Sequence, residues 1–336
     1  MTESPATSPT ALPGLPPGAA DPCVHCGFCL PTCASYRVLA SEMDSPRGRI
    51  HALRAIEAGE LELDATVASH FDTCLGCYAC VSACPSGVRY DQLIEATRPK
   101  LNQANLRSSW QISFRQLLLQ VLPYPSRLRA LLQPLRAYSG TPLQTLARRS
   151  GLTRLFGPGI EAMEQLLPPL SAETFNDCLP LINPATSPYR GRVALLLGCV
   201  QRCFDPSVST ATVRVLQANG FEVVIPQDQG CCGAVSHHQG ELGLTRQLAA
   251  DLVASMNSIE GDLDAVLVAA SGCGHTMKAY GEILGDQEQF KAPVQDVQEF
   301  LADQGLSDDF RDRLQALPTT VAMHDACHMI HGQGIQ

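Results

Sequence analysis

The sequence predicts a multi-domain α+β protein: a mostly helical N-terminal domain, then a helical linker, then an α/β domain built on a parallel sheet. Three observations carry this prediction. Two runs of four cysteines lie within the first ninety residues. Proline-punctuated helical patterns follow them. Beyond residue 190, apolar runs of five or six residues alternate with helix-length segments, the pattern of strands joined by crossover helices.

The first run reads Cys23-Val-His-Cys26-Gly-Phe-Cys29-Leu-Pro-Thr-Cys33, and the second reads Cys74-Leu-Gly-Cys77-Tyr-Ala-Cys80-Val-Ser-Ala-Cys84-Pro85. Both have the ligand spacing of bacterial ferredoxins that carry two [4Fe-4S] clusters. In such runs the first three cysteines wrap around one cubane and the fourth crosses to the other. Cys23, Cys26, Cys29 and Cys84 are therefore assigned to one cluster, and Cys74, Cys77, Cys80 and Cys33 to the second. Zinc is the weaker fit, because it usually takes two Cys-x2-Cys knuckles rather than two runs of four. Cys84 is followed by Pro85 whereas Cys33 is followed by Ala34, a difference that removes no ligand.

A chain of 336 residues with 45% hydrophobic content accommodates two domains with buried cores. It contains no apolar run long enough to span a bilayer. Residues 1–20, rich in Pro, Ala, Ser and Thr, predict a disordered tail rather than a signal peptide. Fifteen cysteines without an export signal point to a reducing cytoplasm and to metal rather than disulfides. The net charge of -9 hides an asymmetry: residues 96–160 hold ten basic side chains and no acidic one. Such a belt suits an acidic partner or an anionic membrane surface, or else is a solvated helix face. Aromatic residues for stacking on bases are few, which argues against nucleic acid.

Taken in order, residues 21–100 form the two-cluster domain. Residues 35–59 predict helix interrupted at Asp44-Ser45-Pro46-Arg47-Gly48-Arg49-Ile50, with Pro46 at a first turn capped by Asp44 or Ser45. Arg47 and Arg49 are placed to offset the negative charge of a thiolate-bound cluster. A short helix over 91–97 closes the module. Residues 101–190 form the linker, with a helix over 110–122 and interruptions at Pro123, Pro125, Pro134, Pro142 and Pro158.

Residues 191–318 form the α/β domain. Strands are expected over 193–197, 221–225 and 265–270, and helices over 207–219 and 241–256. Ligands of open parallel sheets collect at the carboxyl ends of the strands. Cys199, the pair Cys231 and Cys232, and Cys273 all follow strand ends, and together they are a candidate additional site. Cys203 is a further candidate ligand, and Cys178 reads as structural. His237, His238 and His275 lie near these turns, but a lone histidine is more often hydrogen-bonded than metal-bound, so they are left out of the ligand set. Val193 to Cys199 is echoed by the segment that ends in His324-Asp325-Ala326-Cys327, so residues 319–336 read as the start of a second repeat in a truncated chain.

From about Asp21 to Gln336 these motifs resemble the iron-sulfur subunit of bacterial glycolate oxidase (glycolate dehydrogenase). The resemblance rests on both cysteine runs, the Asp44 to Ile50 segment, Cys-Pro-Ser-Gly-Val-Arg-Tyr, Gly230-Cys231-Cys232-Gly233, Ser271-Gly272-Cys273-Gly274, and His324-Asp325-Ala326-Cys327-His328. It implies a ferredoxin-like two-cluster domain followed by a cysteine-rich (CCG) domain. It also implies two [4Fe-4S] clusters here and FAD on a separate flavin-containing dehydrogenase subunit that oxidises glycolate to glyoxylate. In relatives with a full cysteine-rich motif the closing segment is Cys-x2-Cys, whereas here Cys273 is followed by Gly274, His275 and Thr276, which points to two clusters rather than three. No catalytic acid, base or nucleophile is expected on this chain. Electrons leave singly for a quinone or another acceptor, with a further subunit or a peripheral contact at the inner face of the cell membrane as the docking partner. The alternative is the same role beside a flavin subunit acting on glycerol 3-phosphate or lactate, or in a heterodisulfide-reductase-like complex.

Overall fold

The computed structural model describes residues 18–176, 179–285, 289–316 and 318–336. Most of the expected N-terminal tail, and Cys178, lie outside them. The described residues divide into two compact units. One is drawn from Met1–Arg115, Gly233–Gln247 and Thr319–Gln336, and the other from Gln116–Cys232 and Leu248–Pro318.

The first unit is helical. Its N-terminal part runs through α1 (Ala34–Leu39), α2 (Pro46–Glu57), α3 (Ala65–Asp72), α4 (Ala79–Ser82) and α5 (Tyr90–Gln103). The expected interruption between α1 and α2 is a short 3-10 turn over Glu42–Asp44. Ser45 is the cap of α2: its hydroxyl accepts the Gly48 amide at 2.9 Å, with Pro46 at the first helical position. Asp64 caps α3 in the same way, accepting from the Val67 amide at 2.8 Å. On α5, Tyr90, Leu93, Ile94, Thr97 and Leu101 recur at helical spacing and are all buried. Tyr90, Leu93, Ile94 and Leu101 pack with Ile50, Leu53, Ile56 and Phe71 into one core. The helix is longer than the expected 91–97 and continues through Pro99, because this apolar stripe persists beyond the proline.

In the second unit a five-stranded sheet has the order β1-β3-β2-β4-β5. The strands are β1 (Ile182–Asn183), β2 (Gly191–Leu196), β3 (Phe221–Val224), β4 (Ala265–Val268) and β5 (Val294–Asp296). β3, β2, β4 and β5 are parallel, in the arrangement expected for crossover-linked strands. The expected parallel sheet gains an antiparallel edge, because β1 pairs Ile182 with Val224 across β3. β1 has two residues and β5 three, too short to read as apolar runs. Val193, Leu195, Val223, Ala265 and Leu267 of the three central strands are buried in the core beneath the helix Pro206–Ala218. Farther upstream, Pro125, Pro142 and Pro158 open the helices Pro125–Leu132, Pro142–Ser150 and Pro158–Gln165 at their first turns rather than breaking them. Among the described residues no helix is long and apolar enough to cross a membrane.

Gly48 marks the tightest helix packing in the first unit. A Cβ there would come within 2.8 Å of the Glu42 carbonyl carbon and 3.0 Å of Met43 Cα, both backbone atoms that cannot swing away. Gly48→Ala is therefore expected to destabilise the protein by about 1–3 kcal/mol through overpacking. Gly159→Ala, whose Cβ meets nothing within 4 Å, is expected to stay within about 1 kcal/mol of the parent. Denaturant midpoints of the two variants against the parent check the difference.

Candidate metal centres

Both cysteine runs coil by the same backbone device. The second and fourth residues after the first cysteine adopt left-handed φ: His25 (55°) and Gly27 (86°) in the first run, Gly76 (64°) and Tyr78 (59°) in the second. Glycine accepts this conformation freely, whereas His25 and Tyr78 hold it at a steric cost of about 1–2 kcal/mol each. The coiling turns successive thiols toward a common centre.

Two cavities result. The first is lined by Cys23, Cys26, Cys29 and Cys84, with Cys80 at its wall. The second is lined by Cys33, Cys74, Cys77 and Cys80. Each thus gathers three cysteines of one run and the last cysteine of the other. Burial pushes the thiols of Cys29, Cys77 and Cys80 up, so none of these would ionise readily without a cation beside it. Bound iron would supply that cation, and the thiols gathered at each small cavity are the donor set that a cubane takes.

The arginines singled out by sequence line these cavities, one each. Arg47 borders the first: Nη1 donates to the His25 carbonyl at 3.0 Å, while Nε and Nη2 clamp Glu42 at 2.7 and 3.1 Å. Arg49 borders the second and is only 1% exposed. Burial alone would depress its pKa, but the neighbouring Tyr90, Cys74 and Cys33 draw it up. Nε donates to the His70 carbonyl at 2.6 Å, and Nη2 donates to the hydroxyls of Ser35 at 3.1 Å and Thr73 at 2.8 Å. Nη1 is buried with no hydrogen-bond partner among the described residues, an unmet donor that suits an anionic group in the cavity. Asp44 completes the network: its Oδ1 accepts from Thr73 at 2.6 Å, lies 3.1 Å from His70 Nδ1, and sits 4.0 Å from Arg49 Nη2. Sequence reasoning saw Asp44 only as a cap and missed Ser35, His70 and Thr73, whose roles depend on contacts between distant segments.

The candidate additional site lies in the second unit. Cys199, Cys231 and Cys232 are buried and Cys273 is half-buried. Cys231 Sγ lies 3.2 Å from Cys199 Sγ, and this contact, followed by burial, pushes the Cys199 thiol up. Tyr280 donates to the Cys232 carbonyl at 2.7 Å, and its own hydroxyl is pushed up, first by burial and then by Cys232, Cys231 and Cys273. Cys203, considered as an extra ligand, is fully buried against Leu128 and Leu132 in an apolar cluster.

A fourth grouping was not foreseen. Histidines 237 and 238, passed over as isolated side chains, meet Glu95 of α5 within the first unit. His237 Nε2 lies 3.4 Å and His238 Nδ1 4.0 Å from Glu95 Oε1, and the Tyr78 hydroxyl donates to the same oxygen. Burial would raise the Glu95 pKa, but His237 and Tyr78 bring it down to about 2. Burial, His328 and His237 lower the His238 pKa to about 3, which leaves that ring neutral at physiological pH. His275 lies on the helix Ser271–Lys278 of the second unit.

Comparison with known families covers most of the chain. Residues 19–88 match the 4Fe-4S dicluster domain, residues 110–167 the linker region of the glycolate oxidase iron-sulfur subunit, and residues 193–278 the cysteine-rich domain. The probable glycolate oxidase iron-sulfur subunit of Bacillus subtilis (strain 168) is 34% identical over 315 residues, covering 91% of this chain and 70% of that protein. The glycolate oxidase iron-sulfur subunit of Escherichia coli (strain K12) is 33% identical over 316 residues, covering 93% and 71%. A fumarate reductase (CoM/CoB) subunit from Methanothermobacter marburgensis is 33% identical over 149 residues, only 43% of this chain and 27% of that protein. No solved structure matches significantly. With a dicluster domain, the matching linker and a third or more identity along nine-tenths of its length, the chain belongs to the family of glycolate oxidase iron-sulfur subunits.

Proposed function

We infer that this chain is the iron-sulfur electron-transfer subunit of a glycolate oxidase complex, receiving electrons from a flavin subunit that oxidises glycolate to glyoxylate. The observation that carries this reading is the pair of four-cysteine cavities in one helical unit. Cys23, Cys26, Cys29 and Cys84 hold one [4Fe-4S] cluster, and Cys74, Cys77, Cys80 and Cys33 hold the other. A flavin gives up an electron pair whereas a bound [4Fe-4S] cluster exchanges one electron at a time, so two such groups suit the splitting of a pair. The chain's own residues set the surroundings. Arg47 and Arg49 place positive charge beside the cavities, and the Val88 amide donates to Cys84 Sγ at 3.4 Å, contacts of the kind that raise a cluster's potential. Substrate chemistry belongs to the flavin subunit.

Cys199, Cys231, Cys232 and Cys273 form a separate thiol site in the second unit. Three buried thiols with one 3.2 Å sulfur contact support a metal or redox role, and Cys203 lies in a cluster with Leu128 and Leu132.

The linker helices carry the features of a surface that meets the membrane or its quinone pool. Leu143, Leu146, Leu155, Phe156, Ile160 and Leu166 are exposed, in a stretch where Arg149 adds positive charge while Arg148 and Arg154 pair with Glu164 and Glu161. Apolar side chains beside arginines fit an anionic lipid interface.

Three outcomes are expected. Anaerobically purified protein should hold about eight irons per chain, and Cys26→Ser or Cys84→Ser should remove the same half of them while Cys33→Ser or Cys77→Ser removes the other half. Iron analysis with electron paramagnetic resonance of the reduced protein reads this, and a zinc-loaded, resonance-silent protein would overturn it. Glycolate should reduce these centres in the complex with the flavin subunit and leave the isolated chain oxidised; reduction of the isolated chain would place substrate chemistry here instead. In flotation assays the protein should rise with vesicles rich in phosphatidylglycerol, and Leu155→Glu together with Phe156→Glu should abolish this. Equal flotation of parent and variant would discard the membrane contact.

A further inference from the structure

The grouping around Glu95 is not accounted for by electron transfer through the cysteine cavities. We propose that Glu95, His237 and His238 bind one divalent transition-metal ion of the zinc class, at a site separate from all eight ferredoxin-type cysteines. One ligand atom from each residue lies within 4.8 Å of the others. The separations leave room for an ion between the ligand atoms, with His238 Nδ1 also 3.5 Å from the Tyr78 hydroxyl. His237 Nε2 and His238 Nδ1 stand 3.4 and 4.0 Å from Glu95 Oε1. Both exceed the roughly 2.7–3.2 Å of a good nitrogen-oxygen hydrogen bond. Neighbouring corners of a tetrahedron of ligands, each about 2.0–2.1 Å from a central ion, are about 3.3 Å apart. Small side-chain shifts bring the trio to that spacing.

The surroundings favour coordination. The three side chains are only 12%, 17% and 26% exposed for His237, His238 and Glu95, so the carboxylate is held away from bulk water with no arginine or lysine in salt-bridge contact among the described residues. His237 Nδ1 is buried with no hydrogen-bond partner among the described residues, so no such bond at that nitrogen fixes the ring's tautomer. Tyr78 donates to Glu95 Oε1 and holds the carboxylate toward the histidines. Two imidazoles and one carboxylate select zinc-like ions over magnesium or calcium, which prefer oxygen ligands throughout. Three protein ligands also leave a fourth position for water or an anionic group.

Position gives the site a role. Arg98 Nη1 donates to the His238 carbonyl and Nη2 to the Cys74 carbonyl, both at 2.5 Å, so the histidine segment and the second cysteine run share one guanidinium. Tyr78 lies inside that run, between Cys77 and Cys80. The ion therefore ties α5 and the helix Ala234–His238 to the loop that lines the second cavity, and acts as a structural clip there.

The test uses the full chain with its clusters intact, so that the ferredoxin-type cysteines are already filled. The protein is incubated anaerobically with zinc chloride, desalted, and analysed for zinc and iron together with zinc X-ray absorption at the K edge. The expected result is one zinc per chain lost in His237→Gln and Glu95→Gln at unchanged iron, with a nitrogen and oxygen shell at about 2.0–2.1 Å and imidazole outer-shell scattering. The absorption spectrum of the parent stands even where a variant folds poorly. No retained zinc, equal zinc in parent and variants, or a sulfur shell at about 2.3 Å would each overturn the proposal.

Discussion

The guanidinium of Arg49 is the interaction on which the first unit depends. It is buried, and its bonds reach Ser35 on one side and His70 and Thr73 on the other. Ser35 lies two residues beyond Cys33, and Thr73 directly precedes Cys74. One side chain thus fastens the end of the first cysteine run to the start of the second. That juxtaposition carries Cys33 across to the cavity of Cys74, Cys77 and Cys80. A buried cation requires a counter-charge, and Asp44 provides it from the 3-10 turn between α1 and α2. Hydrogen bonds from Thr73 and His70 outweigh burial and keep the Asp44 carboxyl ionised. Losing either partner would strand a charge at a cost of about 3–5 kcal/mol.

The coiling of the two runs is a second constraint, and it separates what could be read in the sequence from what could not. Cysteine spacing grouped the thiols much as the cavities do, apart from Cys80, which lines both, because a two-residue gap permits few arrangements around a small inorganic centre. The left-handed residues were less visible. Gly27 and Gly76 advertise such a conformation, whereas their counterparts Tyr78 and His25 do not. Only the correspondence of the two runs, position by position, exposes the rule.

In the second unit the central strands announced themselves through β-branched apolar runs, and each expected helix lies within a residue or two of its observed place. β1 and β5 escaped because pairing across an edge demands few apolar residues: Asn183 and Gln295 are tolerated where one side of the strand has no partner. Glu95 and the two histidines escaped for a different reason. More than 140 residues separate them in the chain, and local patterns carry no information about contacts at that distance. A pair of adjacent histidines after Cys-Cys-Gly was the available signal, and without a third donor in view it weighs little.

Cavity and core in the first unit are physically continuous, and this ties folding to metal. Cys23, Cys29, Cys74 and Cys84 pack against the same cluster of Ile50, Leu53, Phe71 and Leu93 that holds α2, α3 and α5 together. Burial holds Cys29, Cys77 and Cys80 protonated when no cation is near. Metal binding must therefore expel those protons, and the free energy of coordination becomes free energy of folding. Without the metal, nothing in the cavities offsets the cost of the left-handed conformation at His25 and Tyr78.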